Sequence, residues 1–171
     1  SKPFWGYCFA SAFAAGTFFS FLGGGTFVRA VVYNLSPEVL GLYFAVPALG
    51  FLLGTIFAGK YSTLIGIDSM IIIGLGILML GLSLSLLLSF LGLSTAETFF
   101  GLMALVGLGN GICMPNATAG MLAVKPTLAG AASGLGGSIM IGCGALLSTL
   151  AGFILTDSST DLQLLIMMWI L

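Results

Sequence analysis

Residues 107–152 read GLGNGICMPNATAGMLAVKPTLAGAASGLGGSIMIGCGALLSTLAG. The stretch is apolar enough for lipid, crowded with glycine, alanine and serine, and interrupted by one short turn at Lys125-Pro126. Side chains this small fill a soluble core poorly, but they let backbones come close. Lipid tails give helices no hydrophobic reason to associate, so close approach is how membrane helices bind one another. The stretch therefore predicts two membrane-spanning helices at the tightest seam of a bundle.

Composition agrees. The 171 residues are 59% hydrophobic and 5% charged, with a mean hydropathy of +1.23. A soluble domain carries about 25% charged residues, and four cations with five acids cannot cover a soluble surface of this size. The expected class is all-α integral membrane. A net charge of −1 supplies no basic field for nucleic acid. Histidine is absent. Cys8, Cys113 and Cys143 fall inside apolar runs without metal-ligand spacing, so three buried thiols and no metal or cofactor are expected. No initiator Met or basic leader precedes the first apolar run, and the last stops at Leu171. Both ends read as cut from something longer.

A spanning helix needs about 20 apolar residues. Helices are expected over 4–24, 37–58, 69–91, 97–124 and 128–155, with a sixth, cut short, over 161–171. Gly23-Gly24-Gly25 is expected to end the first, with a short continuation over 26–33. Ser36-Pro37-Glu38 supplies an N-cap, a proline for the first helical position and an acid in the first turn. Pro47 predicts a kink, and Gly50, Gly54 and Ala58 form a small-residue ridge. A turn over 59–68 should follow. The bulky aliphatic third helix should mostly face lipid, and Thr95 suits a cap for the fourth. With the loops alternating sides, Lys2, Lys60 and Lys125 share one side, which the positive-inside rule makes cytoplasmic. Arg29, Glu38, Glu97, Asp157 and Asp161 fall on the other.

No span carries an acid, base or histidine at mid-depth, where proton relays and ion paths are marked. Every acid sits in a turn or at a helix end and is expected to be hydrated. An intramembrane enzyme is not expected, and neither is a proton carrier within these residues. What remains is shape. Gly130, Gly134, Ser138 and Gly142 step by four along the fifth helix, and Gly144, Ser148 and Gly152 make a second row. Such rows read as a seam that slides between states or as static close packing. Asn110, Cys113 and Ala117 share a face of the fourth helix, with Asn116 beside it and Pro115 between the asparagines. The face reads as a substrate-lining kink or as an interhelical hydrogen bond. On the first helix, among many aromatics including Phe18, Phe19 and Phe21, the residues Phe9, Phe13, Thr17 and Ser20 lie along one face. It reads as a wall for a bulky apolar ligand or as packed and lipid-facing phenylalanine.

Three passages carry a resemblance. GGGTFVRAVVYNLSPEVLGLYFAVPALG, following the aromatic first helix, is similar to the seventh helix, extracellular corner and eighth helix of major facilitator superfamily transporters. Gly59-Lys60-Tyr61-Ser62-Thr63-Leu64-Ile65-Gly66 resembles the weaker second copy of the G-x-L-A-D-R-x-G-R loop. Gly59, Ser62 and Gly66 match, while Thr63 and Leu64 stand where the loop's Asp and Arg would be. GNGICMPNATAGMLAVKPTLAGAASGLGG is similar to the tenth helix, turn and eleventh helix. The order resembles the C-terminal six-helix half of a Bcr/CflA-type drug:proton antiporter. That resemblance implies a twelve-helix bundle, monomeric at full length, in a bacterial inner membrane. It implies a small-molecule substrate near the bilayer midplane, alternating access by rocking of two halves, and protons carried by the other half. The cavity candidates are then Phe9, Phe13, Thr17, Ser20, Asn110, Cys113 and Asn116. The gating and packing candidates are Pro47, Gly50, Gly54, Pro115, Gly130, Gly134, Ser138 and Gly142. An importer or facilitator of the same fold, and a non-transporting membrane scaffold, remain as alternatives.

Overall fold

The computed structural model describes residues 2–27, 33, 36–124, 126–154 and 161–170. Six helices account for nearly all of them: α1 (Lys2–Phe27), α2 (Pro37–Ile65), α3 (Ile67–Phe90), α4 (Ala96–Val124), α5 (Ala129–Ile154) and α6 (Asp161–Ile170). One 3-10 turn, Pro126–Leu128, precedes α5. Helices α1 to α5 are long and apolar enough to cross a membrane, which supports a multi-pass membrane protein. Residues 28–32 of the expected 26–33 continuation, with Arg29, the Lys125 position and the expected turn after α5, with Asp157, lie outside the described residues.

Helix α4 is the hub, packed against α2, α3 and α1; α5 lies on α1, and α6 lies on α3 and α1. Glycine explains the hub. A methyl group at Gly50 or Gly54 would strike the Ala104 or Leu108 carbonyl of α4, and one at Gly107 or Gly111 would strike the Pro47 or Phe51 carbonyl of α2. On the α3 side, Gly74 and Gly109 face each other's helices in the same way. These are backbone-to-backbone contacts, and only glycine permits them. The tightest seam therefore joins α2 to α4, not α4 to α5 as the quoted stretch suggested.

Gly23, Gly24 and Gly25 do not end the first helix; α1 runs through them to Phe27. Glycine costs about 1 kcal/mol in a helix relative to alanine, but backbone groups away from water must bond internally. Close packing adds a reason: a methyl at Gly23 would meet Ser148 of α5, and one at Gly25 would touch the Phe44 ring. The 59–68 turn also contracts. Helix α2 continues to Ile65, and the turn is Gly66 alone, at φ 93°, a left-handed conformation that favours glycine. Gly59 and Ser62 thus belong to the last turns of α2, where the Ser62 hydroxyl donates to the Ala58 carbonyl at 2.6 Å. Ser36 caps α2 as expected, accepting from the Val39 amide at 3.5 Å. The Thr98 amide donates to the Thr95 hydroxyl at 3.3 Å, at the start of α4.

The core at one end of the bundle is aromatic. Phe21, Phe44, Phe99 and Phe100 meet edge to face, with Leu164, Leu165 and Met168 of α6 closing the cluster. One face of α3, including Met70, Leu78 and Leu82, is buried; the rest is exposed bulky aliphatic surface.

Candidate functional site

Because α5 rests on α1, it stands away from α4 and leaves a gap beside the hub. The inner end of that gap is a cavity of about 230 Å³. Ala15, Phe18 and Phe19 of α1, Phe51 of α2, Met114 of α4 and Met140 of α5 form its wall, with Asn110 at the edge. Asn110 is 0% exposed, and neither its amide nitrogen nor its amide oxygen has a hydrogen-bond partner. Such a group costs about 1–3 kcal/mol relative to a satisfied one. The accessible wall is aromatic, aliphatic and thioether throughout, with the unsatisfied Asn110 amide buried behind it, which suits an apolar small molecule.

The other cavity candidates divide. Asn116 is buried, but its side chain donates back to the Ile112 carbonyl at 2.8 Å. It borders a different pocket, of about 410 Å³, with Thr55, Ser62, Thr63 and Pro115. The six-residue step between the asparagines turns them to different sides of α4. Cys113 is 0% exposed and packs with Ala14 and Ile71 rather than bordering the Asn110 cavity. Cys8 is also buried, whereas Cys143 is half-buried, so only two of the three thiols are as enclosed as expected. Phe9 and Phe13 are exposed and continue a row of rings from Trp5, with centroids 5.9 and 6.3 Å apart. Thr17 and Ser20, further along the same face, are buried; Thr17 donates to the Phe13 carbonyl at 3.1 Å, and the Ser20 hydroxyl has no partner. The face exists, but neighbouring helices cover only its C-terminal part. Phe18 and Phe19 were visible as aromatics, yet nothing in their spacing singles them out for the cavity. Met114 and Met140 carried no signal at all.

The row Gly130, Gly134, Ser138 and Gly142 turns away from the rest of this chain. A methyl at any of its three glycines would meet open space, and the Ser138 hydroxyl bonds its own helix at Gly134. The seam that α5 makes here uses Gly136, against Met121, and Gly144, against the Phe19 ring, with Ser148 against Gly23. The second row read from the sequence is thus the one that α1 engages, except for Gly152, which is open.

Two polar ties were not foreseen. Near the turn that joins α2 to α3, the Tyr7 phenol of α1 donates to Asp68 of α3 at 2.7 Å. At the opposite end Asp161 is only 6% exposed, contrary to the expectation that every acid is hydrated. Its carboxylate accepts from Tyr33 and Ser89, each at 3.0 Å, and from Ser94 at 2.5 Å. Burial pushes the Tyr33 phenol above its ordinary range, and the charge of Asp161 pushes it the same way. Among the described residues, no group of three or more His, Cys, Asp or Glu could hold a metal ion.

Compared with known proteins, the chain is 27% identical over 161 residues to a bicyclomycin resistance protein homolog of Haemophilus influenzae. The chain is similar to a drug-resistance protein. The resemblance to Bcr/CflA-type transporters that the residues suggested is shown by this relative. The alignment covers 94% of this chain but 40% of that protein. The all-helical architecture, with five helices able to span, is consistent with half of a major facilitator bundle. No family model matches, and no solved structure does.

Proposed function

We propose that this chain is the C-terminal half of a secondary transporter that exports drugs or other small lipophilic molecules by alternating access. The observation that carries the reading is the apolar cavity with the unpartnered Asn110 amide buried behind its wall, in a chain whose relative is named for resistance to bicyclomycin. A static scaffold gains nothing from an unsatisfied buried amide, whereas a wall that rearranges between transport states can expose it to a ligand. In this reading Phe18, Phe19, Phe51, Met114 and Met140 hold the apolar body of the substrate. The rigid α2–α4 seam, through Pro47, Gly50 and Gly54, moves as one piece. The open row at Gly130, Gly134, Ser138 and Gly142 faces the other half and gates against it. Asn116 and Pro115 belong to the neighbouring pocket near Ser62.

Coupling to protons is assigned to the other half. Coupling needs a group that gains and loses a proton as the substrate state changes. Asp161, the acid buried among the described residues, already accepts from three hydroxyl donors, on Tyr33, Ser89 and Ser94. The test is export by the full-length protein in liposomes under an imposed pH gradient, against a panel of lipophilic cations and neutral drugs. Export that is driven by the gradient and persists when all five acids of this chain are neutralised supports the reading. Loss of coupling with folding and binding intact would place a proton carrier in this chain. Export of nothing in the panel would sink the exporter.

A further inference from the structure

The gap between α4 and α5 holds three cavities in series. Beyond the one at Asn110 lies a middle cavity of about 170 Å³, and beyond that an end cavity of about 340 Å³ beside Phe4 and Leu128. Two methionines divide them. Met140 borders the Asn110 cavity and the middle one; Met121 borders the middle one and the end one. Met121 is 5% exposed, and its sulfur lies 3.2 Å from the Cys8 sulfur. It also lies 2.7 Å from where a side chain at Gly136 would begin, so the bare glycine is what lets it cross the gap.

We propose that Met121 is a movable barrier between the middle and end cavities, and that the α4–α5 gap is a route for small apolar molecules between the Lys2 end of the bundle and Asn110. The proposal rests on the transporter reading above. Methionine suits the role because its unbranched thioether changes rotamer at little cost and adapts to different apolar surfaces. The walls support it: Thr118, Ser133, Gly136 and Gly137 around the middle cavity are small, so its bulk comes from Leu122 and the two methionines, of which the methionines are the ones shared with the neighbouring cavities. Moving Met121 also uncovers Cys8, which supplies a readout independent of transport.

The experiment uses full-length protein with Cys8 as its sole cysteine and a small maleimide as the probe. Met121→Ala should speed Cys8 labelling and shift export toward bulkier compounds by about tenfold, the scale on which pocket volume discriminates. Met121→Ile keeps the bulk but is stiff at χ1, so it should slow export while binding of the exported compound persists. Gly136→Ala should displace Met121 and change export in turn, and Met121→Ala in the same chain should cancel that effect. Unchanged labelling in Met121→Ala, or normal export by folded Met121→Ile with no coupling to Gly136, overturns the barrier and leaves the transporter standing. If folded wild-type protein exports nothing, the transporter reading falls, while the Cys8 labelling rates still decide whether Met121 closes the gap.

Discussion

Asn110 and Asn116 are six residues apart and have different fates. Asn116 spends its amide on the Ile112 carbonyl, beside the proline that interrupts the helix bonding pattern. Asn110 spends its amide on nothing. Asn110→Leu should therefore leave thermal stability of the full-length protein equal or higher, since the cost of about 1–3 kcal/mol for an unsatisfied group is removed. Export of compounds with a hydrogen-bonding group should fall. Stability lost without a change in export would make Asn110 a packing residue. Asp161 makes the opposite case. Asp161→Ala removes an acceptor shared by three hydroxyls and should destabilise by more than about 2 kcal/mol, with Tyr33→Phe costing about 1 kcal/mol and the two effects failing to add. Chemical denaturation of the single and double variants measures this. The raised Tyr33 phenol fixes the sign of a pH effect. The fold favours its protonated form, so its contribution is complete below the ordinary tyrosine range and is lost as pH climbs through the raised value. An alkaline absorbance titration of wild type against Tyr33→Phe should show this phenol ionising after an ordinary tyrosine.

At the scale of helices, glycines divide by what faces them. Gly50 and Gly107 meet carbonyl groups of the opposing backbone, whereas Gly59 and Gly101 meet nothing. Gly50→Ala or Gly107→Ala should cost about 1–3 kcal/mol, because neither helix can give way at its backbone. Gly59→Ala and Gly101→Ala should be neutral or stabilising by up to about 1 kcal/mol, from helix propensity alone. Melting temperatures of the four full-length variants check this. Equal shifts in all four would show that the α2–α4 seam is not tight. The same contrast explains α5. Two rows of small residues lie on it, and its rotation about its own axis, set by Phe19 and Met121, decides which row meets this chain.

For the whole molecule, orientation is the property that charge alone argues. Lys60 is exposed near the C-terminal end of α2, on the side that the sequence reading makes cytoplasmic. A cysteine at position 60 in the full-length protein should react with a membrane-impermeant maleimide only after cells are opened. Labelling from outside intact cells reverses the orientation, and with it the side from which the α4–α5 gap is entered.

Composition and the spacing of apolar runs were enough to define six helices in lipid. Nine charged positions leave no other solvent for them, and backbone groups in lipid close into helices whatever the side chains prefer. That pressure carries Gly23–Gly25 through α1 against local propensity and runs α2 on past Gly59 to Gly66, where the positive φ suits glycine. The caps at Ser36 and Thr95 were legible because a cap is a local event. The pairing of faces was not. A row of small residues says that something can come close, but not which helix does. Only the packing shows that α4 meets α2 through Gly107 and Gly111 and leaves Gly130 and Gly134 open. The cavity is invisible for the same reason: its wall takes residues from four helices, and Met114 and Met140 differ from other apolar residues only by where those helices bring them. Burial of Asp161 likewise depends on Tyr33, Ser89 and Ser94 arriving from distant parts of the chain, which no local pattern encodes.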